Sequence, residues 1–234
     1  MKELASELNK LLSSYSAGNK KLAYKKLKRF SKKNPHNEKI QFNLAIMEQD
    51  LGLHNEAKEN YKKLIKNNNN YNSKINLYLL YINEQNYLEA LKIINKINDD
   101  NLTNNKILLD QAYIYFKINE TSSCLQICDL ILKKEKDNIK AINLVGCCLL
   151  EEKKYKKAED KFLLGISYNE KDVALLNSLG KLYFEIWNIE KAEFFYLKAL
   201  KQNPNSYQTL NNIAGYYLET NNSKKSLRYF LDAL

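Results

Sequence analysis

Two histidines and four cysteines are the side chains of this 234-residue chain best suited to covalent or metal chemistry. A Cys–His nucleophile pair requires the two groups within hydrogen-bond reach. His36 falls in the loop after the first pair of helix patterns and His54 near the turn of the second, far from Cys124, Cys128, Cys147 and Cys148 by the spacing of those patterns. Cys124 and Cys128 share a helix face, and the next helix pattern carries Cys147 and Cys148, so a thiolate zinc site is geometrically conceivable although the usual ligand spacings are missing. The alternative is packing, because cysteine is a small hydrophobe that fits places held elsewhere by alanine or a medium apolar residue. No glycine-rich phosphate loop, His-Glu-x-x-His or Cys-x-x-Cys is present. No metal, no cofactor and no enzymatic activity are therefore expected.

Charge is the next candidate for function. The formal net charge is +10 and the pI about 9.2, yet all basic residues but Arg29 and Arg228 are lysine, so the bidentate fork that clamps phosphate or reads guanine is almost absent. Specific nucleic-acid binding is not expected. An abundance of Lys, Asn, Ile and Tyr is also what an A+T-rich coding sequence produces. From Leu8 to Asn37 the chain holds Lys10, Lys20, Lys21, Lys25, Lys26, Lys28, Arg29, Lys32 and Lys33 and no acid. One reading is a docking face for an acidic protein surface or anionic headgroups. The other is a solvated outer face whose apolar stripe, Leu22, Ala23, Leu27 and Phe30, is committed to packing. The amino terminus, MKELASELNKLL, lacks the long apolar core of a signal peptide, and no apolar run is long enough to span a membrane. With cysteines that suit a reducing compartment, this predicts a cytoplasmic protein.

The elements that position these residues are helices. Val173 to Ser206 carries two amphipathic patterns: the first sets Leu176, Leu179, Gly180 and Tyr183 on one face, the second Ala192, Tyr196, Ala199 and Leu200. The Trp187-Asn188 connection allows only an antiparallel neighbour, and Pro204, which lacks an amide hydrogen, stops the second helix. Counting by about thirty-four residues finds the same frame along the chain. The small residue of the second helix recurs as Ala23, Ala57, Ala90, Cys124, Ala158, Ala192 and Ser226. The larger residue four places on reads Leu27, Tyr61, Ile94, Cys128, Phe162, Tyr196 and Phe230. Both prolines, Pro35 and Pro204, close their units at the same place. The close-crossing place of the first helix holds Leu11, Ala45, Tyr78, Ala112, Gly146, Gly180 and Ala214, which predicts a looser crossing where Leu11 and Tyr78 stand.

Leu-x-x-Leu-Gly-x-x-Tyr, then Ala-x-x-x-Tyr-x-x-Ala, then Pro, within thirty-four residues, resembles the tetratricopeptide repeat. The resemblance implies an all-α fold, a right-handed superhelical solenoid of helical hairpins. It also implies a single array over residues 1–234, with units at 4–37, 38–70, 71–104, 105–138, 139–172 and 173–206 and a partial seventh at 207–234. The second unit is one residue short, and its closing run Asn67-Asn68-Asn69-Asn70 is expected to be a polar loop.

In this family the concave surface is lined chiefly by the first helix of each unit and binds peptides or protein segments. The lining comes from the second, fifth, sixth, ninth, twelfth and thirteenth places. Here the fifth and sixth places supply Asn43, Asn76, Asp110, Asn143, Asn177, Asn211 and Asn212, a nearly continuous polar row. Asparagine amides donate and accept at once, so such a row could hold the backbone of an extended peptide; equally, it could be a solvated face of an asparagine-rich protein. The carboxylate clamp of chaperone adaptors is not reproduced, because its places hold Leu8, Leu12, Asn43, Asn72 and Asn76. The expected function is thus a protein-interaction scaffold with a peptide or protein partner. The alternative is the substrate-presenting amino-terminal arm of a larger enzyme such as a glycosyltransferase or sulfotransferase. Leu227, Phe230 and Leu234 occupy places that in earlier units meet the next unit, so the polypeptide is expected to continue past Leu234 or to have that edge covered by a partner.

Overall fold

The computed structural model describes residues 2–99 and 104–234. Among the described residues are fourteen α-helices and no strand, in two compact units, Met1–Thr103 and Asn104–Leu234. In the first unit, α1 (Lys2–Ser16) pairs with α2 (Lys20–Lys33), α3 (Glu38–Asp50) with α4 (His54–Asn68), and α5 (Tyr71–Asn83) with α6 (Tyr87–Asp99). In the second, α7 (Asn105–Lys117) pairs with α8 (Thr121–Lys134), α9 (Ile139–Glu151) with α10 (Tyr155–Tyr168), α11 (Val173–Glu185) with α12 (Ile189–Gln202), and α13 (Tyr207–Glu219) with α14 (Ser223–Asp232). This is an all-α helical repeat solenoid.

Two local devices recur along the hairpins. The odd-numbered helices α3 to α13 begin after Asn37, Asn70, Asn104, Asn138, Asp172 and Ser206. Each of these sits in extended backbone and accepts, through its side chain, the N–H three residues on. An N-terminal cap of this kind contributes about 1 kcal/mol. Four of the asparagines thus have a structural role as caps. Within each hairpin the turn passes through one residue of positive φ: Gly18, Gly52, Gln85, Asn119, Lys153, Trp187 and Asn221. Glycine and asparagine take this backbone readily, but Gln85, Lys153 and Trp187 hold it at a steric cost.

The polar run Asn67–Asn70 is not a loop as expected. Asn67 and Asn68 complete α4, Asn69 ends it in the left-handed conformation (φ 49°), and Asn70 already caps α5. The missing residue is absorbed by placing stop and start side by side, where the equivalent link after α10 spans 169–172. Glu38 accepts from the Asn68 and Asn70 amides across this junction, which hold its carboxyl below the usual range.

The small-residue frame is the core. Ala23, Ala57, Ala90, Cys124, Ala158 and Ala192 are fully buried and Ser226 nearly so. Glycine at the crossing place is matched to an aromatic opposite. A Cβ on Gly146 would lie 2.6 and 2.9 Å from Cδ1 and Cζ of Phe162, with Cε1 closer still, and one on Gly180 would lie 2.5 Å from Cδ1 and Cε1 of Tyr196. Tyr78, expected to loosen its crossing, is fully buried, and opposite it stands the smaller Ile94, also fully buried. The bulk has changed sides. On α14 the outer face is open: Leu227 is 61% and Phe230 40% exposed.

Successive hairpins are tied by a recurrent hydroxyl–carboxylate bond. Tyr183 on α11 donates to Glu159 on α10 at 2.5 Å, and Tyr217 on α13 donates to Glu193 on α12. At the same two places between α2 and α3 the residue types are exchanged: Tyr24 stands on the second helix and Glu48 on the first, 3.5 Å apart. Glu48 is almost wholly buried and also accepts from Asn60 at 2.6 Å. Burial pushes its carboxyl above the usual range, against the pull of the Asn60 amide and the Lys28 ammonium.

Candidate functional site

The residues expected to form a polar row all lie on first helices of hairpins: Asn43 on α3, Asn76 on α5, Asp110 on α7, Asn143 on α9, Asn177 on α11, and Asn211 and Asn212 on α13. Within the second unit, α7, α9, α11 and α13 are neighbours in that order, so their shared face is continuous there. The side chains on it differ in availability. Asn211 is exposed and Asn212 half-buried. Asn177 is only 4% exposed and donates Nδ2 to Thr209 Oγ1 at 2.8 Å, tying α11 to α13. In the first unit, Asn76 donates to the Tyr61 hydroxyl at 3.1 Å, and Asn43 donates to the Lys39 carbonyl of its own helix at 2.7 Å.

Asn143 stands apart. It is half-buried, and its Oδ1 is enclosed without a hydrogen-bond partner, as is that of Asn177. An enclosed, unpaired acceptor costs about 1–3 kcal/mol until a donor reaches it. Asn143 and Asp110 line a cleft of about 330 Å³ between α7, α9 and the start of α11, within the second unit. That volume is at the lower end of ligand pockets, about 300–1,000 Å³. Its walls are largely apolar: Leu109, Tyr113, Ile139 and Leu144, with Ala174 at the α11 end. Leu109, Tyr113, Leu144 and Ala174 fill lining places of the repeat frame. The sequence signal for the cleft is the apolar residues at these lining places, which the asparagines alone do not show.

The groups suited to covalent chemistry lie elsewhere. His36 and His54 are exposed, at the α2–α3 link and the first residue of α4. Cys124, Cys128 and Cys148 are buried in the α7–α9 core and Cys147 is half-buried; all four are free. Cys148 Sγ lies 3.5 Å from Cys124 Sγ. The Cys128 hydrogen bond and burial push Cys124 up to about 12, and burial pushes Cys147 up to about 11. Thiols so placed are poor nucleophiles and poor metal ligands at neutral pH. Among the described residues no three His, Cys, Asp or Glu side chains converge to hold a metal ion. Within the basic block, Lys20 pairs with Asp50 at 2.7 Å, while Lys28 donates to the Tyr24 hydroxyl at 2.9 Å. Among the described residues no helix is long and apolar enough to cross a membrane.

Residues 38–71 and 173–206 each match the family profile of the tetratricopeptide repeat. No curated protein matches the chain in sequence. Solved structures do match in fold. A tetratricopeptide repeat protein from Parabacteroides merdae ATCC 43184 is 19% identical with a TM-score of 0.89, the alignment covering 99% of this chain and 92% of that one. A chain of the APC/C hetero-tetramer Cut9–Hcn1 is 14% identical with a TM-score of 0.67, over 96% of this chain and 45% of that one. YrrB, described as a tetratricopeptide repeat protein with an unusual peptide-binding site, is 17% identical with a TM-score of 0.55, over 79% of this chain and 95% of its own. Residues 38–71 and 173–206 are thus matched in sequence as tetratricopeptide repeats, and along its length the chain shares the fold of a tetratricopeptide repeat protein.

Proposed function

We propose that this protein is a non-catalytic interaction scaffold that holds an extended peptide or protein segment against the first-helix face of its hairpins. In this reading the seven hairpins serve as one binding module. The observation that carries it is the cleft between α7, α9 and α11, where an apolar wall and an enclosed acceptor on Asn143 stand together on that face. Such a wall gains free energy when an apolar side chain leaves water against it. YrrB, described as having an unusual peptide-binding site, illustrates what the fold can host. Four free cysteines suit a reducing compartment, which supports a cytoplasmic setting.

The test contrasts three asparagines at equivalent places. Asn143→Ala and Asn211→Ala together are expected not to lower stability, because the first removes an enclosed acceptor that has no partner, while weakening capture of peptides selected on an array. Asn177→Ala is expected to cost about 1 kcal/mol, because it removes the bond to Thr209. Undiminished peptide binding by the Asn143/Asn211 variant would remove the reading.

A further inference from the structure

The charge around the α7–α9 cleft is opposite in sign to that of the chain. Asp110 and Asp172 line the cleft, and an adjoining depression of about 490 Å³ shares Leu109, Ile139, Lys140 and Asp172 with it. That depression adds Asp137 and Glu135 on the α8–α9 link. Lys106 and Lys140 are the cations of the two linings. Four carboxylates thus face two ammonium groups, in a protein whose formal net charge is +10. The carboxylates are built in. Asp172 accepts the Leu175 N–H at 2.9 Å as the cap of α11. Glu135 accepts from Asn138 at 2.7 Å and Asn105 at 2.6 Å, bonds that hold its carboxyl below the usual range and keep it anionic.

From this charge and shape, and resting on the proposed peptide-binding reading, we infer that the cleft takes an apolar side chain of leucine size from an extended segment in which lysine or arginine stands on either side. The apolar walls, Leu109, Tyr113, Ile139 and Leu144, remove the anchor from water. Flanking cations then face Asp110 and Asp172 at the cleft and Asp137 and Glu135 beside it. An acidic segment would meet like charge at the rim, and exclusion of such partners is as much a part of specificity as attraction.

Binding of four labelled peptides of equal length to the full chain tests this by fluorescence anisotropy: leucine flanked by lysines, leucine flanked by glutamates, leucine flanked by serines, and alanine flanked by lysines. The lysine-flanked leucine should bind about tenfold more tightly than the glutamate-flanked one. Replacing its leucine by alanine should lose most of the binding. The preference should weaken when ionic strength rises from about 0.01 to 0.15 M, which shortens the screening length from about 30 to 8 Å. Asp137→Lys, on an exposed link, should abolish the preference for lysine flanks, and Tyr113→Ser should weaken the leucine peptide while far-UV circular dichroism stays unchanged. Equal binding of the alanine peptide, or indifference to Asp137→Lys, overturns the inference. If the glutamate- or serine-flanked peptide binds best and shifts amide resonances of α7 and α9, the inference fails and the scaffold reading stands. If no peptide of an unbiased array shifts them, both fall.

Discussion

Gly146→Ala tests the packing rule that sets the spacing of the hairpins. The new Cβ would meet the Phe162 ring at 2.6 Å from Cδ1 and 2.9 Å from Cζ, with Cε1 nearer. Carbon atoms pack best at about 3.5–4.0 Å, so the overlap is roughly 1 Å. The neighbour is a rigid ring with no exposed surface, so it has no open side to turn into. Overpacking costs about 1–3 kcal/mol, while replacing a mid-helix glycine by alanine returns about 1 kcal/mol of helix propensity. With contacts this short against a ring that has no open side, the overpacking cost falls in the upper part of that range, about 2–3 kcal/mol, so the net expectation is a loss of about 1–2 kcal/mol, or roughly 2–8 °C in Tm. Gly180→Ala should cost less, because Ala45 and Tyr61 of the α3–α4 hairpin already combine those two residue types. Thermal unfolding followed by circular dichroism reads the loss, and hydrogen exchange should place it in α9 and α10. A double-mutant cycle separates the clash from its alternatives. Phe162→Cys alone opens a cavity, but with Gly146→Ala it recreates the Ala112–Cys128 pair of the preceding hairpin, and the two changes should couple favourably by about 0.5–3 kcal/mol. A Tm for Gly146→Ala equal to or above that of the parent would refute the reasoning, since the ring would then not be clamped.

The strained turns predict a gain: Lys153→Gly relieves a left-handed residue at φ 58°, worth about 1–2 kcal/mol, less the roughly 0.4–1 kcal/mol that glycine adds to unfolded-state entropy; a lower Tm would contradict that balance. Glu48 sets a pH dependence in the first unit. Because burial raises its folded-state pKa, its contribution to stability is fully present below the unfolded value of 4.5 and is lost as pH rises through the raised one. Glu48→Gln keeps an acceptor for Asn60 without the charge, so the variant's urea midpoint minus that of the parent should grow as pH rises through this window; a constant difference would show that Glu48 titrates normally. The raised thiols predict slow labelling of the native protein by a disulfide reagent at neutral pH, with all four cysteines reacting promptly once urea unfolds the chain. Rapid native labelling of Cys147 would mean that its thiolate is accessible.

What repeats locally was legible in the sequence. A cap, a helix stop and a small residue at a crossing each depend on neighbours a few places away, so their recurrence in the frame from Ala23 to Ser226 was enough to indicate hairpins and an all-α chain. The second helix of the 38–70 unit misled because its asparagines were judged by composition. Whether Asn67 and Asn68 extend α4 depends on what receives them, and that includes Glu38, thirty residues upstream of Asn68. The same limit applies to the polar row. Asn143 and Asn177 occupy equivalent places, yet Thr209 on the following hairpin draws one into a buried link, while Leu175 stands where Asn143 would need such a partner. The exchange of Tyr24 and Glu48 across one junction, the matching of Gly146 to Phe162, and the apolar walls that turn part of a polar face into a cleft are likewise relations between side chains on different helices. Sequence period determined which places recur along this chain; contacts between hairpins decided which of their side chains are buried, paired or open, because burial and hydrogen bonding are properties of what packs opposite a residue.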